Sequence, residues 1–317
     1  MTPRRGAALW LLLGALAAGP AAAECRDLAA PRAVPTAAEG QWNLATFNLW
    51  RLRDTEKNSP MDRPLDEPVY QARLDALAGY VVDTLKAPVL LAVQEVENIA
   101  ILEQLAERMT AQGGPRYRAL LLEGHDPSGM DVGLLYRAPA EVSDARALFA
   151  DQTFRGQPLF SRPPLAVTLT APRALTLVIV HLRSANGLGE KAWVAEKRRR
   201  QADRLAQWSR ARKDQALAVV GDFNSAPDSG AFSEPLTVMA ASGLYNSWDK
   251  VKQAERYSYR HRCRPRTLDY VWLSEGLRKD LRGVAVSRGN AGRYDRLYGS
   301  DGTEVVSDHD GLVTYFE

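Results

Sequence analysis

Apolar positions along the chain fall into short runs rich in β-branched and aromatic residues, separated by polar or helix-patterned stretches. WNLATFNL from Trp42, VLLAVQEV from Val89, DVGLLY from Asp131, LAVTLT from Leu165, LTLVIVHL from Leu175, ALAVVGDF from Ala216, TLDYVWLS from Thr267 and LVTYF from Leu312 have the length and composition of strands. Segments 70–85, 99–111 and 191–212 instead repeat apolar positions at three- and four-residue spacing, which predicts helices with one buried face. Strands alternating with helices and with other strands indicate an α/β or mixed-sheet architecture. No internal repeat or low-complexity tract interrupts the pattern after residue 40, so 41–317 reads as one domain. Two stretches leave the scaffold as long excursions: 51–68, with three prolines and many charges, and 288–305, rich in Gly, Tyr and Arg.

The N-terminus follows a different pattern. Arg4 and Arg5 precede an apolar run from Ala7 to Ala18, and Ala21, Ala22 and Ala23 follow Gly19 and Pro20. That is the layout of a cleaved signal peptide over 1–23, and the run is shorter than the ~20 residues that span a bilayer. Residues 24–40, rich in Ala and Pro without periodicity, read as an extended leader to the mature domain. Export to the periplasm or beyond the cell is the expectation. No later segment is apolar and long enough to cross a membrane, so no stable membrane association is expected. In an oxidising compartment the only two cysteines, Cys25 and Cys263, read as a disulfide tying the mature N-terminus to a late loop, with two unpaired thiols as the alternative.

With 45% hydrophobic and 25% charged residues, the composition is that of a soluble globular protein. The formal charge is +3, and loss of the two leader arginines leaves +1. Net charge therefore gives no reason to expect a polyanionic partner, and any such reason must come from local clusters.

Polar groups recur where apolar strands end. Asn48 ends the first strand, Glu95 ends LLAVQE, His181 ends LTLVIVH, and Asp222 and Asn224 end ALAVVGDFN. One such residue is an ordinary strand-to-turn transition. Five suggest a scaffold that gathers ligands at one sheet edge. Glu95, Asp222, Asp269 and Asp308 offer anionic oxygens, and Asn48 and Asn224 neutral ones. This set suits Mg²⁺, with Mn²⁺ or Ca²⁺ possible, better than zinc. His181 and His309 stand where they could move a proton near neutral pH.

GDFN at 221–224, LAVQE at 91–95, TFN at 46–48, VHL at 180–182, LDYV at 268–271 and SDH at 307–309 occur together. In composition, order and spacing this set resembles the endonuclease/exonuclease/phosphatase superfamily, from about residue 42 to 317. The leader and EVEN at 95–98 are similar to the secreted bacterial nucleases and the pancreatic-type deoxyribonucleases. The resemblance implies an α/β four-layer sandwich, with two packed mixed β-sheets flanked by helices and a catalytic cleft at one sheet edge. It implies that Glu95 is the principal metal carboxylate with Asn48 beside it, and that Asp222 and Asn224 orient the attacking water and hold the phosphoryl oxygens. His309 resembles the catalytic histidine of the last motif and His181 its partner. Asp269 resembles the acid that orients a histidine, and Asp308 an acid that orients a histidine or binds a second metal. Trp50 stands where abasic-site endonucleases of the superfamily carry an acid, which argues against the repair branch.

A metal-dependent nuclease acting on DNA or RNA is therefore the leading expectation. A secreted phosphodiesterase for phospholipid head groups and a non-catalytic binding protein are the rivals. Arg162 and Arg183 are candidate phosphate ligands because guanidinium grips phosphate bidentately, although solvated arginines are commonplace. Tyr136, on a strand expected near the site, is a further candidate. The arginine-rich run 256–266, interleaved with Tyr257, Tyr259 and His261, reads equally as a nucleic-acid groove or as a solvated loop held by Cys263. The basic run at 197–200 reads as a solvated helix face, and His125 and His261 as loop residues.

Overall fold

The computed structural model describes residues 25, 28–228, 230–293 and 306–317. The expected signal peptide and residues 294–305 of the second excursion lie outside the described residues. In chain order the elements are β1 (Trp42–Leu52), α1 (Glu67–Gly79), β2 (Leu90–Val96), α2 (Ile99–Ala111), β3 (Arg118–Leu121), β4 (Asp131–Tyr136) and β5 (Glu141–Ala147). A hairpin of β6 (Thr153–Phe154) and β7 (Gln157–Pro158) follows, then β8 (Leu165–Ala171), β9 (Leu175–His181), α3 (Ala192–Arg210), β10 (Leu217–Asp222), α4 (Glu234–Ala240) and β11 (Tyr245–Asn246). A second hairpin, β12 (Tyr259–His261) and β13 (Arg264–Arg266), precedes β14 (Asp269–Leu273), α5 (Glu275–Arg278), β15 (Leu281–Val286) and β16 (Leu312–Phe316).

Two six-stranded mixed sheets result, ordered β15-β16-β1-β2-β4-β3 and β11-β14-β10-β9-β8-β5. Each is built around one parallel pair, β1 with β2 and β9 with β10, and the other pairings are antiparallel. Leu44, Leu90 and Leu134 of the first sheet share a core with Ile179 and Val220 of the second. On the outer face of the first sheet, Ala45, Phe47, Leu91 and Val93 pack against Leu74 and Leu77 of α1 and Leu102 and Leu105 of α2. Leu205 of α3 and Met239 of α4 cover the second sheet. The period-2 alternation of β1 and β2 thus serves two cores at once, which is why these strands read as nearly unbroken apolar runs. This is the expected four-layer sandwich.

The expected strands are all present. The helix expected over 70–85 is α1 followed by a π-helical turn at Tyr80–Thr84. Cys25 and Cys263 are disulfide-bonded with Cα atoms 5.2 Å apart. The bond fixes the leader to the tip of the β12–β13 hairpin, and the leader also pairs with the body at Arg32 and Arg288.

Candidate active site

Topology brings the polar strand ends together. β1 and β2 run parallel and release Asn48 and Glu95 at the same edge, as β9 and β10 release His181 and Asp222, which are register partners. β14 runs antiparallel to β10, so its first residue, Asp269, lies opposite Asp222. β16 runs antiparallel to β1, so Asp308 and His309, just before it, return to the edge where β1 ends. Six strands therefore deliver their chemistry to one end of the sandwich.

Alternation along β2 would send Glu95 to the helix side with Leu91 and Val93. It does not go there, because the registers of β2 with both neighbours slip between Gln94 and Val96 and the Glu95 backbone adopts φ +61°. This bulge re-aims the carboxylate into the cleft, a local strain of the kind found at functional sites. The glycine of GDFN has an equally concrete cause: Gly221 has φ +137°, and a Cβ there would lie 2.0 Å from the Val180 carbonyl oxygen. Asn224 holds φ +49°, a region asparagine tolerates. Its backbone N–H donates to Asp222 Oδ1 at 2.7 Å, and its Nδ2 to the Leu182 carbonyl at 3.0 Å.

Asn48 Nδ2 donates to Glu95 Oε1 at 3.2 Å and to Asp222 Oδ2 at 3.3 Å, linking the two sheets. His181 Nε2 is 3.5 Å from Asp222 Oδ2 and 3.8 Å from Glu95 Oε1. His309 Nδ1 is 2.7 Å from Asp269 Oδ2, and its Nε2 is 3.9 Å from Asp308 Oδ1. The two imidazoles are driven apart electrostatically. Burial, reinforced by the charges of Arg162, His309 and Arg51, holds His181 well below its ordinary pKa. Burial also opposes charge on His309, but the Asp269 and Asp308 carboxylates outweigh it and hold that ring well above its ordinary value. Asp222 is pushed up to about 7 by burial and then by Asp269, and Asp308 to about 6, chiefly by burial. The surroundings thus favour the neutral form of His181 and the charged form of His309.

The sequence matches the model of the Endonuclease/Exonuclease/phosphatase family over residues 40–309, a span that takes in every one of these groups. The chain belongs to the endonuclease/exonuclease/phosphatase family. No curated protein matches the sequence. Among solved structures, an AP endonuclease from Archaeoglobus fulgidus superposes with TM-score 0.61 at 14% identity, covering 87% of this chain and 99% of that one. The 3′ phosphatase NExo from Neisseria, bound to a product DNA hairpin, gives 0.60 at 16% identity, covering 87% and 99%. The human Nocturnin catalytic domain gives 0.57 at 17%, covering 89% and 96%. These likenesses confirm the fold.

Enzymes of this family use divalent metals, and the residues here fit one. Four carboxylates, those of Glu95, Asp222, Asp269 and Asp308, meet at the strand ends, and Asp269 Oδ1 is buried with no hydrogen-bond partner among the described residues. Burial first, and neighbouring carboxylates after it, raise Asp222 and Asp308, and a hard cation would offset the charge gathered here. Asp222, Asp269 and His309 each place one donor atom within 4.8 Å of the others. The short His309–Asp269 bond already engages two of these three. Glu95, with its side chain 20% exposed on the cleft lining, is the more accessible carboxylate.

Two buried arginines, neither expected at the site, hold its backbone. Arg73, on α1, donates to the carbonyls of Leu49 at 2.6 Å and Val306 at 2.8 Å, clamping the segments that follow Asn48 and precede Asp308. Arg198, on α3, donates to the carbonyls of Arg183 at 2.6 Å and Asn224 at 2.9 Å. Of the run expected to be a solvated face, Lys197 and Arg198 are therefore buried, and only Arg199 and Arg200 face water. Ser307 Oγ donates to the Asn48 carbonyl at 2.6 Å and accepts from His309 N–H at 3.0 Å, tying the two motifs directly.

The remaining candidates divide. Glu95, Asp222, Asn224, Asp308 and His309 line a cleft of about 490 Å³, joined by Tyr259, His261 and Arg266. The 256–266 run thus forms a structured hairpin wall, and His261 sits on a strand rather than a loop. Arg162 is not among the residues lining this cleft; it pairs with Asp126 at 2.8 Å and donates to the His181 carbonyl at 3.4 Å. Arg183 lines a neighbouring pocket. Tyr136 is misplaced by the sequence reading: β4 runs antiparallel to β2, so Asp131 lies beside Val96 while Tyr136 pairs with Leu90 at the opposite end.

Proposed function

We propose that this protein is an exported, divalent-metal-dependent nuclease that hydrolyses phosphodiester bonds of DNA or RNA. The observation that carries this reading is the convergence of Asn48, Glu95, His181, Asp222 and the Asp269–His309 pair on one strand edge, at a cleft walled by a basic, aromatic hairpin. Glu95, with Asn48 and Asp308 beside it, would hold a divalent cation, Mg²⁺ or in its place Mn²⁺ or Ca²⁺, which when bound withdraws charge from a non-bridging phosphoryl oxygen. Asp222, fixed by the Asn224 N–H, takes up the proton of the attacking water, and His181, 3.5 Å away, helps orient that water. His309, anchored on Asp269, offers its Nε2 proton to the phosphoryl group as the leaving oxygen gains charge.

Among solved structures of this fold, the Neisseria 3′ phosphatase holds a DNA hairpin, which supports a nucleic-acid substrate. A lipid-head-group phosphodiesterase needs an apolar surface for the bilayer, and the exposed large hydrophobic residues among those described are Met61 and Leu122. Export rests on the leader pattern at 4–23 and on the Cys25–Cys263 bond, which suits an oxidising compartment.

The test is incubation of purified wild-type protein and His309→Ala with plasmid DNA, single-stranded RNA and sphingomyelin, with Mg²⁺ and then with chelator. Cleavage of a nucleic acid that needs both metal and His309 is expected. Hydrolysis of lipid alone, or no turnover, would overturn the reading.

A further inference from the structure

A second cavity, of about 430 Å³, opens beside the catalytic cleft. The two are separated by the segment after β9: Arg183 lines the second cavity, while Ser184 and Asn186 line the first. The β6–β7 hairpin supplies its outer wall through Phe154 and Pro158, and α3 supplies Trp193 and Lys197.

Arg155, also on the lining, is paired with Glu196 at 3.7 Å, but the two cations beside Trp193 are not neutralised locally. Arg183 donates only to neutral acceptors, Ser184 Oγ at 2.5 Å and the carbonyls of Ser184 and Asn186. Lys197, 8% exposed, donates to the Pro158 carbonyl at 2.8 Å. Among the described residues neither has a carboxylate within ion-pair distance, and the acid nearest in effect, Asp126, is committed to Arg162. Cations so placed are held near one another without a counter-charge, and an anion entering the cavity would satisfy both. Trp193 adds a partly buried indole, with the Arg183 guanidinium 5.8 Å from its ring. Indole and cation together match the two faces of a nucleotide, base and phosphate. The volume lies within the range of small-ligand pockets.

We propose that this cavity is a flanking-nucleotide subsite: while one phosphodiester of a strand sits in the catalytic cleft, Arg183 and Lys197 take a neighbouring phosphate and Trp193 stacks on its base. The inference rests on the nuclease reading and deepens it, because it makes the preferred substrate a strand extending at least one nucleotide past the cleaved bond. A phosphomonoester or a lone dinucleotide leaves the subsite empty.

The test is a cycle between enzyme and substrate. Single-stranded oligonucleotides of the cleaved polymer, each carrying one uncharged methylphosphonate linkage at successive positions, are assayed with wild-type protein, Lys197→Met and Trp193→Ala. In the wild type, one position flanking the cleaved bond should lower kcat/KM about tenfold, and lengthening a dinucleotide across that position should raise it by a similar factor. In Lys197→Met the neutral linkage at that position should cost clearly less than in the wild type, because Arg183 alone remains to hold the phosphate, and in Trp193→Ala replacing the flanking base by an abasic residue should cost nothing further. Because each comparison is made within one protein, a variant that is less stable still reports. If the wild type cleaves nucleic acid but Lys197→Met and Trp193→Ala keep its full sensitivity, the subsite is wrong and the nuclease reading stands. If the wild type hydrolyses bis(p-nitrophenyl) phosphate but neither DNA nor RNA, both fall together.

Discussion

His309 Nδ1 and Asp269 Oδ2 are 2.7 Å apart, both buried, and they come from β16's approach and the first residue of β14, 40 positions earlier in the chain. This bond leaves only Nε2 of the ring free to face the cleft, and it stabilises the protonated form. His309→Ala should lower kcat by about 10²–10⁴, the usual worth of general acid–base help. Asp269→Asn should act in the same direction without removing the imidazole. It also takes away the charge that raises His309, so the alkaline limb of the kcat–pH profile should move to lower pH. An Asp269→Asn enzyme with the wild-type limb would show that His309 is not the group titrating there.

Arg73 binds the carbonyls of Leu49 and Val306 from a position where it is fully buried. Its fork therefore sets the spacing between the segments that carry Asn48 and Asp308. Arg73→Met keeps much of the packing but strands two buried acceptors, at a cost of about 2–4 kcal/mol. As a positioning residue it should lower kcat about tenfold or more at nearly unchanged KM, since misplacing catalytic groups slows chemistry more than binding. Arg73→Lys, which keeps the charge but reaches fewer carbonyls, should recover part of both losses. Thermal melts and steady-state kinetics on the two variants read this directly.

Of the two large sheets, the eight strands legible in the sequence are the interior ones, and the four it did not reveal, β15, β3, β11 and β5, are the edges; the short hairpin strands β6, β7, β12 and β13 were not legible either. The reason is burial. Interior strands are covered on both faces and carry continuous apolar runs, whereas β5 reads EVSDARA, with charges facing water that also guard an open edge. The site divides in the same way. Asn48, Glu95, His181 and Asp222 were legible because each stands at the end of an apolar run, whereas Asp269 and Asp308–His309, which lead into their strands, were legible through the LDYV and SDH motifs. Arg73 and Arg198 were not, because a buried arginine on a helix looks like a solvated one until the carbonyls it grips are brought to it from distant segments. Tyr136 was misjudged because sequence alone does not tell which end of an antiparallel strand meets the cleft.

Gly221 tests the backbone argument separately from the chemistry. With φ +137° and a Cβ position 2.0 Å from the Val180 oxygen, Gly221→Ala must push β9 and β10 apart next to His181 and Asp222. A loss of about 3 kcal/mol or more is expected from strain and overpacking. Gly276→Ala, at a helical position with nothing within 4 Å, is the control and should be neutral or slightly stabilising. Equal melting temperatures for the two variants would refute the steric account.

The buried acids make stability depend on pH in a direction that can be worked out. Burial raises Asp222 from 3.8 to about 7 and Asp308 from 3.8 to about 6. The folded protein therefore binds more protons than the unfolded chain between these limits, and unfolding free energy falls as pH rises. The contribution is complete below about 3.8 and is lost as pH climbs through 6 and then 7. His309, raised above its ordinary value by Asp269 and Asp308, adds a loss of the same sign at higher pH, while His181, lowered by burial, opposes the fall below 6.5 but is one group against the two acids. In chelator, the melting temperature should accordingly drop between pH 5 and pH 7.5. A divalent cation bound among these carboxylates favours their ionised forms, so Mg²⁺ or Mn²⁺ should raise the melting temperature more at pH 7.5 than at pH 5 and flatten the profile. Glu95→Gln should weaken that metal response. A metal-free melting temperature that rises over this interval would mean that the acids at the strand ends are not the strained, proton-holding cluster inferred from their burial.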